Sequence, residues 1–258
     1  MPRPRRPLKK MTRTWLSAAA ALLLGTAAAG AAEPQIVLLK LDDCSGPFPR
    51  YRETAEFILK EGLKVNFGVF GSALEKNPAG FDAWLNAMVK TGAVEFWNHG
   101  YGGFGHAKEN QEGTPEEIRA RIFKTQDLSA KILPRPFAAF GPHAGGMNEA
   151  AWQALADRPE IRLVFASPPP QFKDRFIVAS NRVRLDFENL LPDKDKFIAN
   201  WEQRGKDLPY IVVQTHPNTW TEDRYFEQFK AAVLFLKEKG CRFMTVSEYV
   251  ATVEAQKR

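Results

Sequence analysis

The stretch from residue 36 to residue 71 decides the fold. It contains IVLLKLD (36–42), RYRETAEFILKEGL (50–63) and KVNFGVFG (64–71). The first and last segments are short apolar runs that predict buried strands, whereas the middle segment has apolar residues at helical spacing. A strand, a helix and a second strand in this order predict a βαβ unit with parallel strands.

The same alternation continues to the end of the chain. Further strands are predicted at 93–99, 135–141, 161–167, 175–186 and 210–216, and helices at 80–92, 114–133 and 222–240. The second of these helices has clear start signals, with Thr114 as N-cap, Pro115 at the first helical position and Glu117 completing a capping box. About seven or eight such units suit a closed or nearly closed α/β barrel. An open doubly wound sheet is the alternative, although no glycine-rich phosphate loop follows the first strand.

The first 32 residues have the organisation of a secretory signal peptide. A basic segment, MPRPRRPLKKMTR, precedes an apolar segment, WLSAAAALLLGTAAAG, and the small residues of AGAAEP. The apolar run of about sixteen residues is short for a membrane span, so an uncleaved anchor is the lesser alternative. We therefore predict a signal peptide at 1–32 and a single barrel domain at 33–258, secreted or exported to a periplasm.

The charge of the chain gives no indication of a nucleic-acid partner. The net charge is +6, and six basic residues of the leader account for it, so the remainder has equal numbers of acidic and basic residues. No basic cluster stands out after the leader. We expect no nucleic-acid partner and a monomeric protein.

The two cysteines are predicted to be free thiols. Cys44 follows the first predicted strand, whereas Cys241 precedes the last, which places them at opposite ends of a barrel. Strands of this length separate the two ends by about 17–20 Å, which is much further than a disulfide spans.

Polar residues follow several predicted strands at the point where each strand ends. Asp42 and Asp43 follow the first strand, His99 the third, His143 the fourth and His216 the penultimate one. In an α/β barrel these strand ends share one rim, where active sites lie. Adjacent carboxylates can divide the work of binding a divalent metal and moving a proton. One or two histidines would complete a metal site with open positions for water, and a further one could protonate a leaving group.

The glycine-rich segment EFWNHGYGGFGH (95–106) raises a question about its two histidines. His99 and His106 are seven residues apart with four glycines between them. On a regular helix they would lie about 10.5 Å apart along the axis, too far to share one ion, and the glycines disfavour a helix. A loop that folds back could bring His106 to a metal held by His99; alternatively, His106 is incidental.

These motifs resemble those of the polysaccharide deacetylase family with the NodB-homology domain, the carbohydrate esterase family 4 type. KLDDC is similar to the family's Thr-Phe-Asp-Asp-Gly motif, EFWNHGYGGFGH to its second motif, FGPHAG to its third and VVQTH to its late Leu-x-x-His motif. The likeness spans about residues 35–250. It implies a distorted (β/α)7–8 barrel and removal of N- or O-acetyl groups from an acetylated polysaccharide or oligosaccharide. It also implies a divalent metal, with zinc the expected ion.

The resemblance implies roles for the residues of the rim. Asp42 would be the general base and His216 the general acid. Asp43 and His99 would bind the metal, and we add His106 as the expected third ligand. The loop containing Pro142 and His143 is expected to contact substrate and to help hold the oxyanion.

Two aromatic residues near the rim are expected to contact the sugar. Tyr101 lies in the glycine-rich segment and Trp220 just after the last rim histidine. Aromatic faces pack on sugar C–H surfaces, so we predict both as substrate-binding residues.

Three departures from the family pattern leave the activity open. The family's second histidine ligand stands four residues after the first, and that position is Gly103 here; Phe140 stands about where an arginine orients the base, and Cys44 replaces a glycine. Three hypotheses follow. The protein is an exported metal-dependent deacetylase, an inactive deacetylase-like protein that binds glycans, or a metal hydrolase that acts on a non-sugar amide.

Overall fold

The structure, a computed structural model, describes residues 33–103, 105–106, 108–144 and 146–257. The signal peptide predicted at 1–32 lies outside the described residues. Within them, no helix has the length and apolar character that crossing a membrane requires.

The described residues alternate between strands and helices. The strands are β1 Ile36–Cys44, β2 Val65–Val69, β3 Val94–Asn98, β4 Ala139–Phe140, β5 Leu163–Val164, β6 Ile177–Val178, β7 Arg182–Arg184, β8 Tyr210–Thr215 and β9 Arg242–Phe243. The α-helices are α1 Pro49–Lys60, α2 Gly71–Lys76, α3 Phe81–Lys90, α4 Pro115–Ile132, α5 Glu149–Ala156, α6 Lys194–Asn200, α7 Asp223–Glu238 and α8 Val246–Ala255.

The named strands form one parallel sheet that curls into an incomplete barrel. Their order is β6-β5-β4-β3-β2-β1-β8-β7, with β9 beside β1, so the late strands return to the side of the first. Residues 179–181 separate β6, which pairs with β5, from β7, which pairs with β8. This topology confirms the predicted distorted (β/α) barrel.

A tryptophan fills the interior of the barrel below the strand ends. Trp97 of β3 is fully buried in a cluster that includes Leu38 of β1 and Val212 of β8. Two glycines leave room for its ring, because a Cβ atom at Gly68 would lie 2.4 Å from it and one at Gly141 2.7 Å from it. This packing closes the interior, so the open space of the barrel lies at its C-terminal rim.

Local signals of the sequence fix several elements correctly. α4 begins after Thr114 with the predicted capping box, in which the Thr114 side chain accepts from the Glu117 N–H and Glu117 accepts from the Thr114 N–H. The predicted strands at 135–141 and 161–167 are real but shrink to two residues each. Cys44 and Cys241 are free, as predicted.

Candidate active site

A cavity of about 600 Å³ opens at the C-terminal ends of the strands. Six predicted site residues line it: Asp42 and Asp43 after β1, His99 after β3, Pro142 and His143 after β4, and His216 after β8. The structure therefore brings together residues that are up to 174 positions apart, because parallel strands in a barrel end at one rim.

An irregularity in β1 turns both of its carboxylates into this cavity. Adjacent residues of a regular strand point to opposite faces. Here the pairing of β1 with β2 shifts register between Leu41 and Cys44, and Asp43 has a left-handed φ of 64°. A non-glycine residue in this conformation is strained, and such strain occurs at functional sites. The kink allows Asp42 and Asp43 to line the same space.

Three donor atoms from different strand ends converge on one side of the cavity. The His99 Nδ1 lies 2.7 Å from the carbonyl oxygen of Gly141, which places the ring proton on Nδ1. The unprotonated Nε2 then faces the Asp43 Oδ1 at 3.1 Å, and the His143 Nε2 lies 3.6 Å from the same oxygen. Lone pairs that face each other at this distance favour a cation between them.

The chemistry and spacing of this group suit a divalent metal. Zinc bonds to nitrogen and oxygen of about 2.0–2.2 Å in a tetrahedral site place neighbouring ligand atoms about 3.3–3.5 Å apart. The separations from Asp43 to His99 and His143, 3.1 and 3.6 Å, lie on either side of that range. Across the described ranges, no three His, Cys, Asp or Glu side chains already form a complete ligand set. Binding of an ion by these three donors would therefore require small side-chain adjustments.

A buried lysine holds Asp42 beside this group. The Lys40 Nζ donates to both carboxylate oxygens at 2.5 and 2.6 Å, and the Gln214 amide donates to Oδ2 at 2.5 Å. The Lys40 ammonium also lies over the Trp97 ring, 4.6 Å from its centroid. Burial raises the pKa of Asp42, but the charges of Lys40 and of the neighbouring histidines, His216 among them, outweigh this and lower the pKa overall. Asp42 is thus held as a carboxylate. The cation that pairs with it is Lys40, from the same strand.

The opposite wall of the cavity has a histidine prepared to carry a proton. The His216 Nδ1 lies 2.7 Å from the Asp186 Oδ2, and the Thr215 hydroxyl donates to the other Asp186 oxygen at 2.5 Å. Burial disfavours charge on His216, but Asp186 and Asp42 outweigh it and raise its pKa. The pKa of His143 is lowered, because burial there exceeds the effect of Asp43. The two histidines are therefore suited to different tasks.

The structure does not bring His106 to the cavity. Its side chain is exposed in a separate surface pocket and lies against the backbone of Gly102, where a Cβ atom would be 2.5 Å away. The buried carboxylate of Glu109 accepts from the N–H groups of Tyr101 at 2.8 Å and Gly102 at 2.7 Å, which folds the loop on itself. The third donor beside Asp43 is His143 instead.

Local packing explains why a glycine, Gly103, stands at the position of the family's second histidine. Gly103 is buried with a φ of 67°, and a Cβ atom there would lie 2.9 Å from the Phe70 ring. Phe70 in turn stacks on His99, with ring centroids 5.0 Å apart. A side chain at residue 103 would meet this ring, so the loop after β3 offers no second ligand at that position.

Only two of the four predicted substrate residues line the cavity. Pro142 and His143 do so. Tyr101 lies outside it, and its hydroxyl donates to Glu75. Trp220 is 2% exposed and belongs to the hydrophobic core between the sheet and the outer helices. The apolar wall of the cavity comes instead from residues such as Phe165.

Sequence reasoning missed Lys40, Gln214 and Asp186. Lys40 is the one charge inside the apolar run IVLLKL, and Asp186 ends the extended segment RFIVASNRVRLD. A charge inside a strand that reads as fully buried requires a partner, and a carboxylate at a strand end meets the rim of a barrel. Both signals were available in the sequence; for Gln214, only its place two residues before His216 hinted at the site.

Comparisons with solved structures identify the fold. No protein-family model and no curated protein sequence matches the chain. A family 4 acetyl xylan esterase from Clostridium thermocellum, solved with a cobalt ion, has 18% identity and a TM-score of 0.62, covering 86% of this chain and 92% of that one. The peptidoglycan deacetylase PdaC from Bacillus subtilis has 20% identity and a TM-score of 0.58, covering 87% and 94%. A carbohydrate esterase family 4 pseudoenzyme from Bacillus anthracis has 17% identity and a TM-score of 0.59, covering 84% and 66%.

Proposed function

We propose that this chain, which has the fold of the carbohydrate esterase family 4 proteins, is a metal-dependent hydrolase that removes acetyl groups from an acetylated glycan. The observation that carries the proposal is the arrangement around Asp43. Donor atoms of His99 and His143 lie beside it, while the carboxylate of Asp42 and the imidazole of His216, whose pKa is raised, face the same cavity. An ionised base and a protonated acid next to a metal ligand group are what hydrolysis of an amide or ester requires.

Each side chain has a defined task in this proposal. A divalent ion, expected to be zinc, would be held by Asp43, His99 and His143 and would supply Lewis-acid activation of water and carbonyl. Asp42 accepts the proton of the attacking water. Its Oδ2 faces the histidines of the cavity, at 3.8 Å from the His99 Nε2 and 3.7 Å from the His216 Nε2.

The proton needed by the leaving group comes from the other wall. His216 Nε2 faces the cavity and donates it, while Asp186 holds the proton on Nδ1 and so fixes the orientation of the ring. Lys40 keeps Asp42 in place and ionised. Pro142 and His143 form the side of the cavity against which the acetyl group lies.

The predicted leader places this activity outside the cytoplasm. A signal peptide at 1–32 and a single catalytic domain at 33–258 would give a secreted or periplasmic monomer that meets polymeric glycans there. The partner is the acetylated polysaccharide or oligosaccharide itself.

Acetate release together with metal analysis tests the proposal. We expect purified protein to contain a divalent ion and to release acetate from at least one of acetylated chitooligosaccharide, peptidoglycan or acetylated xylan. A chelator should abolish the release. Asp42→Asn should lower kcat by about 100-fold or more, because it removes the general base. Asp195→Asn is the matched control, since this carboxylate on α6 is exposed and does not line the cavity.

One observation favours the second candidate, an inactive glycan-binding protein. Both oxygens of Asp42 contact Lys40, which makes the carboxylate a weaker base than a free one. Binding of an acetylated glycan without any metal or acetate release would establish that alternative. Acetate release from simple N-acetylated amines but from no glycan would establish the non-sugar amide hydrolase.

A further inference from the structure

Two arginines of β7 line the cavity. Arg182 and Arg184 are exposed, whereas Val183 between them is buried. Alternation along a strand puts both arginine side chains on one face, and both border the cavity. In the register of the sheet, Arg184 lies opposite Gln214, which lies opposite Lys40. The arginines therefore stand on the cavity side of the barrel, below the rim carboxylates.

The positive charges of these arginines have no counterion among the described residues. Within the ranges that the structure describes, no hydrogen bond or ion pair joins either guanidinium to another residue. The carboxylates of the cavity have other partners: Asp42 pairs with Lys40, Asp43 with His99 and Asp186 with His216. Two unpaired guanidinium groups in one cavity provide the planar, forked donors that match a carboxylate.

The position of the arginines separates them from the reacting centre. Arg184 ends β7, two residues before Asp186, and β7 lies two strands from β1. Strand geometry puts its backbone about 7 Å along the strands and about 10 Å across the sheet from Asp42. The acetyl group is expected beside Asp43, so a group bound at the β7 wall would belong to the sugar that carries it or to a neighbouring sugar. Phe165 and Ala166 form an apolar part of the same cavity, which suits the C–H face of a sugar ring.

We infer that Arg182 and Arg184 bind a carboxylate of the glycan, so that the substrate of this site is an acidic acetylated glycan. The deacetylation step of this inference rests on the proposed function, whereas carboxylate binding does not depend on turnover. Two sources present the same chemistry, a uronate and the lactyl ether of an amino sugar.

Equilibrium binding of matched ligands tests the inference. Calorimetry would compare an acetylated oligosaccharide containing a uronate with its carboxyl-reduced counterpart, and one containing a lactyl ether with its carboxamide. The proteins are the wild type, the double variant Arg182→Gln/Arg184→Gln and the control Arg135→Gln. Arg135 is an exposed arginine that lines a different pocket.

We expect the wild type to bind at least one acidic ligand roughly 10- to 100-fold more tightly than its neutral counterpart, the range of a charge-assisted hydrogen-bond pair. The ligand that shows this preference identifies the source of the carboxylate. The preference should disappear in the double variant, persist in Arg135→Gln and weaken with added salt.

Three results would overturn the inference: equal affinity of wild type for acidic and neutral ligands, no binding of either acidic ligand, or an undiminished preference in the double variant. Acetate release, measured on the same ligands, separates this inference from the proposed function. A preference for acidic ligands without acetate release would contradict the proposed function and support the carboxylate site. Acetate release with equal kcat/KM and equal affinity for acidic and neutral ligands would support the proposed function and contradict the carboxylate site.

Discussion

His99 directly follows β3 and lines the cavity. Beyond it, the loops after β3 and β4 carry His106 and His143, and of these two only His143 reaches the cavity. His106 stands seven residues after His99, yet it lies in a separate surface pocket. His143 is 44 positions from His99, yet its Nε2 lies 3.6 Å from Asp43. The first loop is folded on itself around Glu109, whereas the second leaves its strand directly at the rim. A place at a strand end is thus a better guide to a shared site than closeness along the chain.

Removing each histidine in turn is the strongest way to break this comparison. His143→Ala should weaken binding of a divalent ion by at least about 100-fold, because even partners that only orient a ligand contribute 10- to 100-fold. Acetate release should fall in parallel. His106→Ala should leave both within about twofold of the wild type. Titration with zinc or cobalt against a chromophoric chelator measures the affinity.

The matched pair is its own control, since both variants replace a histidine by alanine in a rim loop. Equal loss of metal affinity in the two variants would mean that the loop after β3 closes over the ion. Loss of metal affinity in His106→Ala but not in His143→Ala would support the ligand set predicted from the sequence, Asp43, His99 and His106.

The comparison extends to the two histidines that face each other across the cavity. Asp186 raises the pKa of His216, whereas burial lowers that of His143. A general acid must be protonated, so activity should fall as pH rises through the pKa of His216. Asp186→Asn removes the charge that raises this pKa, so the alkaline limb of the kcat profile should move to lower pH. At alkaline pH the loss in kcat should approach the roughly 100-fold that a general acid contributes.

An exposed carboxylate provides the control for this pH experiment. Asp207→Asn changes charge by the same amount on the surface and should leave the profile unchanged. Metal affinity should be retained in Asp186→Asn, because its partner is His216 and not the group around Asp43. An alkaline limb that stays in place would remove His216 as the acid.

The barrel could be predicted from the sequence because its signals are local and repeated. Apolar runs alternate with amphipathic segments along the chain, and one helix start was predicted to the residue at Thr114. Parallel strands then place Asp42, Asp43, His99 and His216 at one rim without further information. These four residues indeed line the cavity or its wall.

The rest of the site depends on strand register and packing, which the motifs do not encode. Lys40 becomes the partner of Asp42 only because both side chains point inward from β1 at a spacing of two residues. The φ of 64° at Asp43 depends on the shifted register with β2. Trp220 follows a rim histidine in sequence, but its ring packs against Phe229 in the hydrophobic core. Each outcome is decided by which face of a strand a side chain occupies, by packing between elements or by a backbone irregularity.

The smallest expected effect tests why the loop after β3 stays away from the metal group. Glu109→Gln replaces one of the two acceptors that hold the N–H groups of Tyr101 and Gly102, so one partly buried N–H loses its partner. We expect a loss of about 1–3 kcal/mol in the free energy of unfolding, measured by urea denaturation. Metal affinity should not change. Glu112→Gln, an exposed residue of the same loop paired only with Lys108, should change neither quantity by much. A Glu109→Gln variant that lost metal affinity as far as His143→Ala does would place the β3 loop in the site and remove the distinction between the two loops.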